Sequence, residues 1–295
     1  MNNSIKSHPA GGFFSCKKIF LWYNGKKDNE VVNLVFTKED ILKQLDAFKA
    51  AKGKIVTLHS SFKAVGEVEG GPEAFLSILI EYFTEDDGIF SVPTHTWDSE
   101  VYDKRKTESC LGLIPRLASG RKDGIRNDNP SHSMKVFGRE DKVSDYIKDE
   151  KTIESPTDPI GCYGKLYTEG GYVLLMGVGH DKNTYIHAVE EILSVPDRMT
   201  EEKVERTIIK ENGEEEKRYV KWFYSTAAED VSEYFWKFEP AFRYHGCIVD
   251  GFLGNAKTQL CDARKMKEVY ELIFKNSGGK EFAGDDTPID ERFYK

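Results

Sequence analysis

What most constrains this chain is an alternation. Short apolar runs break off abruptly on histidine and hydroxyl residues, and amphipathic helical patterns lie between them. Thr37 and Asp40 have the spacing of a capping box, and Ile41, Leu42, Leu45 and Phe48 recur at helical intervals until Gly53. Residues 54–58 (KIVTL) then read as a buried strand that stops on His59, Ser60 and Ser61. Gly70, Gly71 and Pro72 open a second helix, with Phe75, Leu76, Leu79, Ile80 and Phe83 on its apolar face. Residues 89–93 (IFSVP) form the next strand, which gives way to Thr94, His95 and Thr96. A further strand over 172–178 ends in Gly179, His180 and Asp181. Asn183 and Thr184 then stand at the N-cap of a helix carrying Ile186, Val189, Ile192 and Leu193. Strands separated by helices lie parallel, which predicts an α/β fold with a layered, largely parallel central sheet flanked by helices.

The pattern changes past Pro196. Residues 205–210 and 217–224 flank Asn212-Gly213, the turn signal of a hairpin, and a run of glutamates makes this hairpin strongly charged. Residues 231–238 read as a helix, 246–252 as a strand and 264–274 as a closing amphipathic helix. The expected organisation is a variable leader over 1–35 and a single domain over 36–275, with a charged β-hairpin and helical insertion at about 197–242. A tail over 276–295, rich in Gly and Asp, is expected to pack loosely. A chain of 295 residues with 39% hydrophobic content has enough apolar surface for one large core.

Several classes are set aside by composition. No run approaches the roughly 18 apolar residues that a membrane-spanning helix needs, and the Lys6, Lys17, Lys18 region lacks a continuous apolar stretch with a cleavage site. Cys16, Cys110, Cys162, Cys247 and Cys261 show no C-x-x-C spacing, so they read as reduced thiols of a cytoplasmic protein. A net charge of -8 argues against nucleic acid and leaves cationic small molecules as ligands.

In open α/β sheets, ligands bind at the carboxyl ends of the strands, which is where the polar clusters fall. His59, His95, His132 within the Asn129–Ser133 loop, His180 and His187 make five of the seven histidines. Turn chemistry alone gives any single histidine beside Ser or Thr a local capping role; the recurrence of the pattern points to one shared crevice. G-x-S-x-G, Walker A and G-x-G-x-x-G are all absent. His180, Asp181 and His187 offer ligand types for zinc without an H-E-x-x-H helix, which leaves a metal-dependent hydrolase as an alternative reading. His187 and Glu190 lie one helical turn apart. A carboxylate there orients the imidazole and favours its protonated form, as a general base requires, although many such pairs simply face solvent.

Taken in order, residues 58–66 (LHSSFKAVG) with Gly70-Gly71, 92–96 (VPTHT), 112–115 (GLIP), Arg126 with 129–133 (NPSHS), Ser155-Pro156 with 159–161 (PIG), and 177–190 (GVGHDKNTYIHAVE) resemble the aminoglycoside 3-N-acetyltransferase family. The match runs from about Phe36 to Phe274. The resemblance implies transfer of an acetyl group from acetyl-CoA, as co-substrate, to an amine of a small cationic acceptor. It implies no metal, no nucleic acid and no membrane, and is compatible with a homodimer. It places His59, Ser60, Ser61, Phe62, Val65, Thr94, His95, Thr96, Ser131, His132 and Ser133 at the coenzyme site. His187 would be the general base, Glu190 its orienting partner, and Thr96 a donor to the thioester oxygen. The family's His-Leu-Ala-Glu is replaced here by residues 187–190 (HAVE), and 196–242 shows little of the family pattern, so the acceptor is an aminoglycoside or another amine. A non-catalytic acyl-CoA-binding protein is the remaining alternative.

Overall fold

The computed structural model describes residues 35–282 and 284–295, so the expected leader, Val35 apart, lies outside the described residues. In chain order the strands are β1 Val35–Phe36, β2 Ile55–Ser60, β3 Glu67–Val68, β4 Ile89–Pro93, β5 Val101–Asp103, β6 Ile125–Arg126, β7 Met134–Phe137, β8 Tyr172–Met176, β9 Val204–Ile209, β10 Glu215–Val220, β11 Ile248–Leu253 and β12 Ala256–Asp262. The α-helices are α1 Lys38–Leu45, α2 Gly71–Thr84, α3 Leu113–Gly120, α4 Glu140–Ile147, α5 Cys162–Thr168, α6 Tyr185–Ile192, α7 Glu239–Tyr244 and α8 Ala263–Ser277. The expected capping box opens α1, with Thr37 and Asp40 bonding each other's backbone. Gly70, left-handed, and Pro72 in the first turn open α2.

Seven strands form the central sheet, in the order β11-β12-β8-β2-β4-β7-β6. The layered α/β arrangement is the expected one, but only β8, β2 and β4 run parallel to one another. The other four pairings are antiparallel. The cause lies in the connections. Long crossovers containing helices join the three central strands, whereas β11 and β12 are joined by a short hairpin turn, and hairpins give antiparallel pairs. The central strands are buried on both faces, so they carry no polar alternation for a sequence reading to find.

The period-two alternation of β2 and β8 divides the core. Val56, Leu58, Leu174 and Met176 join α1, α2 and α3 in one cluster. Ile55, Val173 and Leu175 join α5, α6 and α8 in the other. Thr57 and Ser91 face the α6 side and satisfy each other across the strands at 2.8 Å. His59 follows Thr57 by two residues and so points to the same side. Because β2, β4 and β8 are parallel, their carboxyl ends open on one edge of the sheet, beneath the amino end of α6. Gly177, with φ of 65°, turns the chain there; a Cβ would lie 2.6 Å from Ala64 Cβ.

The charged hairpin is present as β9 and β10, and β5 joins it in parallel to make a separate three-stranded sheet. Residues 231–238 are helical, of the tighter 3-10 kind. The tail is not loosely packed. Phe282, Ile289 and Tyr294 are buried against the α8 side of the core, and the backbone oxygens of Phe282 and Tyr294 bond Arg198 and His245. Its Gly and Asp residues mark turns, and the few apolar residues between them do the anchoring. Cys110, Cys162, Cys247 and Cys261 are free thiols, while Cys16 lies outside the described residues.

Candidate active site

A cavity of about 600 Å³ opens at the carboxyl edge of the sheet, walled by His59, His95, His132 and His187 together with Trp97, Leu111, Trp222 and Phe223. Its rim carries Asp181, Lys182, Glu229 and Asp230. Four of the histidines singled out from sequence therefore converge on one space.

His187 projects from α6 toward this space. Its Nδ1 lies 3.4 Å from Glu190 Oε2, and Nε2 has no partner among the described residues. Glu190 is fully buried. Its Oε1 accepts from Arg198 Nε at 2.8 Å and from the Tyr270 hydroxyl at 3.1 Å. Burial alone would raise the Glu190 pKa, but the His187 contact and the Arg198 charge outweigh it and hold the carboxyl below its ordinary value. The carboxylate is thus ionised at neutral pH and faces the imidazole. The next residue, Glu191, is held by the Ser155 and Thr157 hydroxyls.

The other three imidazoles are kept neutral. Burial pushes His59 and His132 down to about 3. Burial, followed by repulsion from His132, His59 and His187, drives His95 well below its ordinary value. His95 Nε2 pairs with the Tyr163 hydroxyl at 2.7 Å. His95 Nδ1, His59 Nε2 and Ser60 Oγ are buried without a hydrogen-bond partner among the described residues. Orphaned polar atoms at the ends of β2 and β4 suit a ligand that brings its own donors and acceptors, as a pantetheine arm does.

The hydroxyls behind the imidazoles are already engaged. Thr94 Oγ1 meets Ser133 Oγ at 3.1 Å, Ser133 Oγ donates to the Thr94 carbonyl, and the backbone N–H groups of Thr94 and Thr96 donate to Ser133 and Ser131. Arg126 ties this layer together: Nε donates to Thr94 Oγ1, Nη2 to the Thr94 carbonyl, and Nη1 to the Thr107 carbonyl, with the guanidinium over the Tyr102 ring. The fully buried Thr96 hydroxyl, expected to donate to the thioester oxygen, is directed to the Pro130 carbonyl at 3.1 Å. Phe62 and Val65 do not line this cavity. Phe62 packs on Phe75 with ring centres 5.5 Å apart, and Val65 is fully buried in the α2-side core. Ser131 and His132 are both buried, with Ser131 Oγ 3.1 Å from His132 Nδ1. Ser61 ends β2 with its N–H on the Met176 carbonyl.

The His180, Asp181, His187 set does not assemble. His180 is fully buried against Phe242, with Nδ1 on Asn183, while Asp181 pairs with Lys182 at the rim. Among the described residues no group of three or more His, Cys, Asp or Glu side chains is placed to hold a metal ion. Asn183 is thereby occupied, and Thr184 makes no side-chain cap, so α6 starts from a preceding 3-10 turn rather than from the expected N-cap bond.

Sequence reasoning passed over Arg198, Tyr163, Tyr270, Trp222 and Phe223. Only the adjacent Trp222-Phe223 pair within a charged segment left a readable signal. Among the described residues no helix is long and apolar enough to cross a membrane.

Comparison with known proteins agrees with the geometry. A family model described as aminoglycoside 3-N-acetyltransferase matches residues 57–275. The aminoglycoside N(3')-acetyltransferase-like protein YokD of Bacillus subtilis is 28% identical over 189 residues, covering 56% of this chain and 68% of that protein. Aminoglycoside N(3)-acetyltransferase IV of Salmonella is 24% identical, over 54% of this chain and 60% of its own length. The crystal structure of YokD superposes with a TM-score of 0.71 at 23% identity, covering 84% of this chain and 96% of that one. A binary complex of AAC-IIIb with coenzyme A gives 0.70 at 19% identity, covering 86% and 100%. At these identities the structures establish the shared fold.

Proposed function

The chain belongs to the aminoglycoside 3-N-acetyltransferase family, a family of acyltransferases, and we propose that it moves an acetyl group from acetyl-CoA to an amine of a small cationic acceptor. The carrying observation is the His187–Glu190 pair: a buried, charge-balanced carboxylate faces one imidazole nitrogen, while the other opens on a cavity large enough for two substrates' reacting ends. Acetyl-CoA supplies the activated acetyl group. His187 Nε2 takes the proton from the attacking amine as the new C–N bond forms and the C–S bond breaks, and that proton then passes to the departing thiolate. Glu190 holds the ring and stabilises its protonated form. His59 Nε2, Ser60 Oγ and His95 Nδ1, buried and unpartnered, support a coenzyme contact at the ends of β2 and β4. Asp181, Glu229 and Asp230 support an ammonium-bearing acceptor at the rim.

The relatives' names point to aminoglycosides as acceptors, and one related solved structure, of AAC(3)-IVa, holds gentamicin. For this chain an aminoglycoside or another small amine is the proposed acceptor, within a single cytoplasmic domain over 36–275 whose insertion lies at about 197–242. The test is a thiol-release assay with aminoglycosides, polyamines and amino sugars, run on the wild type and on His187→Gln. Turnover by the wild type that the variant loses, with coenzyme binding retained, is the expected result. Coenzyme binding with no thiol release for any amine would favour the non-catalytic reading, and full activity in His187→Gln would refute the assignment.

A further inference from the structure

The insertion touches both members of the pair through one short ribbon, and Phe235 adds an edge-on contact to the His187 ring at 4.9 Å. Residues 198–200 run against 222–224: Thr200 N–H donates to the Trp222 carbonyl, Tyr224 N–H donates to the Arg198 carbonyl, and Met199 and Phe223 form an antiparallel bridge. From one side of this ribbon Arg198 Nε reaches Glu190 at 2.8 Å. From the other, the Phe223 ring lies on the His187 imidazole with centroids 4.3 Å apart and planes 28° from parallel. The same phenyl ring meets His132 edge-on at 5.0 Å. The Arg198 guanidinium is held in turn by the Phe282 carbonyl of the tail.

We propose that this ribbon is a bracket for the proton-transfer pair, with Arg198 and Phe223 as positioning residues that act on His187 with opposite electrostatic sign. The inference rests on His187 being the base. A phenyl face is negative at its centre, so stacking favours the imidazolium that forms during transfer. Arg198 neutralises Glu190, which reduces the pull of that carboxylate on a protonated ring. The groups facing His187 from the surrounding elements are Glu190 and Glu191 on α6, Asp181 and Lys182 just before it, His59, His95 and His132 at the strand ends and beyond, Glu229 and Asp230 at the rim, and Arg198 through Glu190. Of the pair, Arg198 touches Glu190 and Phe223 touches His187, and the ribbon joins the two contacts.

Since neutral His187 is the active form, kcat/KM rises with pH along an acid limb. Phe223→Leu keeps the site apolar but removes the π face, so the limb moves to lower pH by about half a unit. Arg198→Met leaves Glu190 uncompensated, so the limb moves to higher pH by about half a unit or more. In both variants kcat falls several-fold while the coenzyme Kd is unchanged. Phe223→Tyr restores the wild-type profile, and Phe223→Met, a second non-aromatic variant, repeats the leucine result if leucine does not fold. A limb that stays in place in both arms, or moves the same way in both, overturns the proposal. His187→Gln run alongside separates the two failures: if it kills transfer while the limbs do not move, the base assignment stands and the bracket does not.

Discussion

Two layers around the cavity, the hydroxyls behind its imidazoles and the helix that carries His187, end up in opposite states. On the strand side, Thr94, Thr96 and Ser133 spend their hydrogen bonds on one another and on neighbouring carbonyls, under the Arg126 guanidinium. On the helix side, His187 Nδ1 stands 3.4 Å from Glu190 Oε2 and Nε2 is open, while Glu190 is braced by Arg198 and Tyr270. The first layer is closed on itself; the second leaves an imidazole nitrogen open to the cavity. What separates them is how far the hydrogen bonds are spent within the layer; the unpartnered His59 Nε2, Ser60 Oγ and His95 Nδ1 at the strand ends belong with the open side.

Substitution on each side tests that contrast. The largest effect is expected from His187→Gln, which lowers kcat/KM by about 10²–10⁴-fold in a thiol-release assay while leaving thermal stability near that of the wild type. Arg126→Met is its scaffold counterpart. It leaves the Thr107 carbonyl without this donor and the Thr94 carbonyl with only the Ser133 hydroxyl, so calorimetry should show a loss of about 3 kcal/mol; an unchanged melting temperature would break the comparison. A third test is acid unfolding. His59 and His132 bind protons only near pH 3 in the folded chain but near pH 6.5 when unfolded. Between those limits the unfolded state holds more protons, so stability falls as pH drops through this window, by up to about 1.4 kcal/mol per pH unit for each group. Denaturant titrations from pH 7 to 4 should show that slope, and His132→Asn should flatten it. The smallest effect separates scaffold from catalysis most sharply. Thr96→Val should cost about 1 kcal/mol of stability and leave kcat within about threefold, whereas a hundredfold loss would return Thr96 to the reacting centre.

Much of this was legible in the chain itself. The central strands announced themselves because burial on both faces demands unbroken apolar runs, and their polar endings marked the crevice. The pairing of His187 with Glu190 followed from helical spacing. What the sequence could not convey was direction. Thr96 and His95 are adjacent, and only the twist of the strand end sends one ring to the cavity and one hydroxyl to the Pro130 carbonyl. β7 was hidden by Lys135, whose ammonium reaches the Arg121 carbonyl from a nearly buried position and interrupts the apolar pattern. Arg198 and Phe223 were hidden for a different reason: their partners lie on α6, and nothing in a charged segment singles out the two residues that fold back onto it.

The odd and even positions of β2 answer to different masters, with Val56 and Leu58 filling the α2-side core while Thr57 and His59 serve the cavity side. Inserting or deleting one residue there would exchange the two sets at a stroke, driving an imidazole into apolar packing and turning leucine toward the substrates. Descendants of this chain are therefore free to vary in length at the outlying hairpins, while β2 must keep its count even where its letters change.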